Sequence, residues 1–65
     1  MNFLKEGLTN IGRRAKYNID GLIFIVIIHN FKISYGVLRY QIMPLEGSGR
    51  KWVNSDSITI KNNEI

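Results

Sequence analysis

The run LIFIVII, Leu22 to Ile28, constrains this chain more than any other stretch. Seven apolar residues fall far short of the about 20 that a membrane-crossing helix needs. Five of the seven are Ile or Val, which lose side-chain freedom in a helix and pack well on a pleated surface. The run therefore reads as a buried strand, apolar on both faces. One face belongs to the core. The other needs a cover, either the N-terminal segment or another copy of the chain. Arg13, Arg14 and Lys16 precede the run as they would in a signal peptide, but HNFKIS follows it in place of a small-residue cleavage site. No membrane association is expected.

Further strands follow from the residues around this one. Asp20-Gly21 marks a turn, because both residues tolerate the positive φ of a tight hairpin. Residues 12–19, GRRAKYNI, read as a first, basic strand and residues 22–30 as the second. FKISYG, 31–36, holds a turn or the start of the next strand. From 37 to 43 the pattern alternates: Leu38, Tyr40 and Ile42 share one face, Arg39 and Gln41 the other. Pro44 ends that pairing, and LEGSG is a hairpin loop. RKWV is a short strand, NSD a tight turn, and SITI a last strand with Ile58 and Ile60 on one side. At the start, residues 1–11 form a short amphipathic helix with Phe3, Leu4, Leu8 and Ile11 on one face. Gly7 weakens it, and so short a helix must pack on something: a lid over the sheet, or a docking segment for a partner.

The expected organisation is thus a helical segment (1–11), one all-β unit (12–60) and a polar tail, KNNEI (61–65). Five short strands with close turns suggest a small closed barrel, which also removes exposed sheet edges. Sixty-five residues without cysteine cannot use disulfides or a thiolate metal site as a staple. Either the core is efficient or the chain forms a homo-oligomer. The lack of cysteine fits a reducing, cytoplasmic compartment.

The stretch GSGRKWVNSDSITI joins a glycine loop, a short strand, a one-turn polar helix and a short closing strand. With DGLIFIVII and GVLRYQIMP as a central hairpin, it resembles the Src-homology-3-like small barrels, a superfold that includes KOW- and Tudor-type modules. The resemblance covers about residues 12–60. It implies a five-stranded barrel in which Val53 points inward, NSD forms a 3₁₀ turn and Ile58 returns to the core. The acidic groove of the proline-peptide binders has no counterpart in GRRAKY. The pore stretch of the barrel-type dihydrofolate reductases has none in Arg50-Lys51-Trp52-Val53.

No set of residues reads as catalytic. His29 is the only imidazole and has no partner visible in sequence. The acids are scattered, with Asp56 expected to cap its turn. Gly47-Ser48-Gly49 lacks the helix and lysine spacing of a phosphate loop. No cofactor or metal is expected. Nine Lys and Arg against five Asp and Glu give a net charge of +4, which favours an anionic partner. Arg13, Arg14, Lys16, Arg39, Arg50 and Lys51, with Trp52 among them, are the candidate interface. Cations interleaved with aromatic rings suit nucleic acid, charge meeting phosphate and ring meeting base. The reading is a non-enzymatic binding module for nucleic acid or an acidic protein surface. The alternative is a protein-interaction or inhibitor module of the kind found among small phage and plasmid proteins, working through an apolar face or the N-terminal helix.

Overall fold

The structure, a computed structural model, describes residues 2–60. Helix α1 (Phe3–Asn10) leads into β1 (Arg14–Ile19), β2 (Leu22–Ser34), β3 (Val37–Pro44) and β4 (Lys51–Asn54). A 3₁₀ turn (Ser55–Ser57) and β5 (Ile58–Ile60) follow. The expected tail KNNEI lies outside the described residues.

All five strands join one antiparallel sheet in the order β4-β3-β2-β1-β5. The all-β class with a short N-terminal helix therefore holds, but the closed barrel does not. β4 and β5 end the order on opposite sides, and among the described residues no ladder joins them. One turn of 3₁₀ helix carries the chain from β4 straight to β1, where the three residues of β5 pair with Ala15, Lys16 and Tyr17.

β2 is the spine of the sheet. Its 13 residues would span roughly 43 Å at about 3.3 Å each, yet the molecule extends only 29 × 29 × 21 Å along its principal axes. The strand must bend, and the register slips between Ile28 and Asn30, leaving His29 as a bulge. Before the bulge β2 pairs with β1, and beyond it with β3 alone. The sequence pattern predicts an end to this strand at residue 30. It runs to Ser34 because the turn sits at Tyr35-Gly36, where both residues have positive φ (52° and 75°). Asp20-Gly21 makes the expected turn in the same way, with φ of 52° and 80°.

Residues facing each other across a ladder share a side of the sheet, so the register sorts the strands into two faces. The inner face carries the core: Ala15, Val26, Ile28, Leu38, Tyr40, Ile42, Val53 and Ile58. Burying each of the larger side chains contributes about 1.5–3 kcal/mol. Val53 and Ile58 point inward as the resemblance implied. Phe24, part of the run expected to be buried, is half exposed. The sheet is strongly curled. Lys51 on β4 and Tyr17 on β1 are three strand spacings apart in the order, about 14 Å if flat, yet the Lys51 Nζ lies 5.4 Å from the Tyr17 ring centroid.

α1 covers one end of the inner face, and of the side expected to pack only Phe3 does so. Asn2 caps it, its Oδ1 accepting from the Lys5 amide at 3.0 Å. Phe3, Gly7 and Asn10 turn toward the sheet, while Leu4 and Leu8 are exposed. Gly7 is the reason. A methyl group at its Cα would overlap the Phe31 ring, so only glycine brings the helix this close. Asn10 is buried and its Nδ2 donates to the Tyr40 hydroxyl at 2.8 Å. The larger apolar row would hold the helix farther off and leave that hydroxyl unpaired.

Candidate functional site

The expected interface residues do not form one patch. The inner face receives Lys51, and Arg50 lies beside it in the loop that enters β4. Both border the uncovered end of the curled sheet. Arg13 is half-buried at the join between α1 and β1. Its Nη1 lies 3.4 Å from Asn10 Oδ1, the far side of the amide that donates to Tyr40. Its own carbonyl accepts from the Ile28 amide at 3.0 Å. Arg13 thus holds the helix to the sheet.

The outer face receives the others. Arg14 lies opposite Ile27, and Lys16 opposite Ile25 and Thr59. α1 does not reach this side of β2, so the second apolar face of LIFIVII lacks the cover expected of the helix. Ile25 and Ile27 are nonetheless half-buried, and the two basic side chains beside them are placed to lay their stems over that row while their heads stay in water. Across the bend, Arg39 pairs with Lys32 and Asn54, and Gln41 with Asn30 and Trp52. The Lys32 Nζ sits 4.5 Å from the Trp52 ring centroid, a contact worth about 0.5–1 kcal/mol at an exposed site. The Nε of half-buried Arg39 is shielded from solvent and makes no hydrogen bond among the described residues. Lys32 is absent from the expected interface because its segment, 31–36, reads as a turn or the start of the next strand. Extending β2 to Ser34 puts it on the same side as Trp52.

Charge separates sharply by element. The five strands hold Arg14, Lys16, Lys32, Arg39 and Lys51 and no carboxylate. Among the described residues the acids are Glu6 in α1, Asp20 in a turn, Glu46 in a loop and Asp56 in the 3₁₀ turn. Four of the five strand cations are on the outer face, together with the amides of Asn18, Asn30, Gln41 and Asn54 and the Trp52 indole. Such a surface offers charge, donors and acceptors, and one aromatic ring.

The uncovered end of the inner face is an open cleft of about 350 Å³. Ile19, Phe24, Val26, Ile42 and Pro44 line it, with Tyr17 on one wall and Arg50 and Lys51 at its rim. His29 lies outside it, exposed in the bulge. Among the described residues no three His, Asp or Glu side chains gather as a metal site, and no helix is long and apolar enough to cross a membrane. Comparison with protein-family models, with curated proteins and with solved structures gives no match for this chain.

Proposed function

We propose that this protein is a non-enzymatic binding module that takes single-stranded nucleic acid on its outer sheet face. The observation that carries the reading is the charge separation: four cations, four amides and Trp52 on one face, with no carboxylate in any strand. Phosphates meet Arg14, Lys16, Lys32 and Arg39. The amides can meet base edges, and the half-buried Trp52 ring is the one aromatic group on this face that could stack on a base. This moves the interface away from Arg13, Arg50 and Lys51 and adds Lys32. We also read the sheet as an opened member of the Src-homology-3-like small barrels. The placement of β5 beside β1, the bent β2 and the 3₁₀ turn before β5 support that reading. A cysteine-free chain of this charge suits the cytoplasm.

Trp52 is the only tryptophan, so its fluorescence reports on the face directly. Titration with a deoxythymidine oligonucleotide should quench it. Affinity should fall about fiftyfold between 50 and 200 mM salt, from a slope of about −0.7 per phosphate neutralised on single strands and four contacts. Lys16→Ala and Lys32→Ala should each flatten that slope by about 0.7. Absence of quenching, or quenching indifferent to salt, overturns the proposal. An acidic protein partner would share the salt dependence and leave the oligonucleotide unbound.

A further inference from the structure

The uncovered cleft is a second surface, chemically unlike the outer face. Its walls are aliphatic and aromatic, and its charged residues are the two cations at the rim. At about 350 Å³ it has roughly twice the room of the about 150 Å³ apolar cavity that accepts benzene, enough for two large side chains next to each other. It is open along one side, so a chain can lie across it without threading. One border is β4, which ends the sheet order and pairs only with β3. Among the described residues its other edge has no strand partner, which suits the addition of an extended segment.

We propose that this cleft docks an acidic peptide: two adjacent large apolar side chains fill it, and carboxylates flanking them pair with Arg50 and Lys51. The charge of the rim and of the whole chain selects the acidic partner. Glu46 and Asp20 lie in neighbouring loops but do not line the cleft. A nucleobase fits poorly, because the apolar walls would strip water from its polar edge and return few hydrogen bonds. A long acyl chain fits poorly too, because an open cleft of this size leaves most of its methylenes in water.

The test uses the full chain, labelled with ¹⁵N, and a capped hexapeptide with a central leucine–phenylalanine pair and two acidic residues on each side. Saturable amide shifts are expected at Tyr17, Phe24, Gly49, Arg50 and Lys51, with Trp52 fluorescence unchanged. The same peptide with lysine flanks should bind at least tenfold more weakly. Arg50→Glu combined with Lys51→Glu, both exposed, should cost the acidic peptide at least tenfold and leave the circular dichroism spectrum intact. The proposal is overturned if the peptide gives no saturable shifts at millimolar concentration, or if both flanks bind equally. It is also overturned if decanoate or a deoxythymidine oligonucleotide saturates these amides more tightly. Concentration-dependent shifts of the same amides without peptide would assign the cleft to a second copy of the chain instead. Oligonucleotide binding at Trp52 is read separately, so either proposal can fail alone.

Discussion

The two ends of the inner sheet face are built from the same kinds of residue and have opposite fates. At one end Phe31, Leu38 and Tyr40 lie beneath α1, and Tyr40 is 1% exposed. At the other end Phe24, Ile19 and Pro44 line an open cleft, and Phe24 is 48% exposed. Residue type did not decide which ring is buried. A lid did, and the lid closes because position 7 is glycine. The sharpest way to break this comparison is to remove a ring at each end. Tyr40→Ala should cost about 3–5 kcal/mol, as large-to-small changes in cores do. That is comparable with the whole stability expected of a 65-residue domain, about 3–10 kcal/mol, so the variant should be largely unfolded by circular dichroism. Phe24→Ala should cost less than about 1 kcal/mol, because its ring is half in water already and no closed cavity forms. Equal losses in urea denaturation would mean that the cleft is filled by the protein itself in solution.

A finer probe separates packing from polarity at the covered end. Tyr40→Phe keeps the ring and leaves the buried Asn10 amide without its acceptor, at a cost of about 1–3 kcal/mol. Burial holds the Tyr40 hydroxyl pKa above its ordinary 10.0. The Asn10 hydrogen bond pulls it back in part, and Glu6 nearby adds to the rise. The folded state thus favours the protonated phenol. Its contribution to stability is complete below pH 10 and is lost as pH rises through the raised folded value. The wild-type chain should therefore lose more stability above pH 10 than Tyr40→Phe does. Parallel alkaline melting curves for the two proteins would contradict the buried-hydroxyl account.

This covered end is also where the sequence was hardest to read. Strand identities and the Asp20-Gly21 turn were legible because alternation and turn chemistry are local signals. The buried set Leu38, Tyr40 and Ile42 came from the same alternation. The helix was legible as a helix, but its docking face was not. Hydrophobic periodicity singled out Phe3, Leu4, Leu8 and Ile11, of which only Phe3 packs against the core; the rest of the contact needed a small residue and a hydrogen-bonding one, Gly7 and Asn10. Their roles depend on Phe31 and Tyr40, more than twenty residues away. The candidate interface was half legible for a similar reason. Arg14, Lys16, Arg39 and Trp52 follow strand parity and reach one side. Lys51 has the opposite parity, and Arg13 and Arg50 lie outside the strands. Lys32 required knowing that β2 bends at His29 and continues. The cleft had no signal in sequence at all, since it exists only because the sheet curls without closing.

The two ends differ last in their turns, and here the expected effect is smallest. Asp20-Gly21 at the cleft end and Tyr35-Gly36 at the other adopt the same paired positive φ. Aspartate accepts that conformation readily, whereas tyrosine pays a steric penalty for it and here is wholly exposed, at 102%. No packing compensates at the hairpin tip. Tyr35→Asn should therefore raise stability by about 0.5–1 kcal/mol, in proportion to the strain removed, while Asp20→Tyr should lower it by a similar amount. The midpoint of urea denaturation, with an unchanged slope, is the measurement. If Tyr35→Asn instead lowers the midpoint, the ring is making contacts that hold the tip, and the two turns are not equivalent after all. If stability rises and oligonucleotide quenching of Trp52 stays the same, Tyr35 is strained without serving the outer face. If stability rises and binding weakens, the strain keeps an aromatic ring at the hairpin tip just beyond β2, three residues after Lys32.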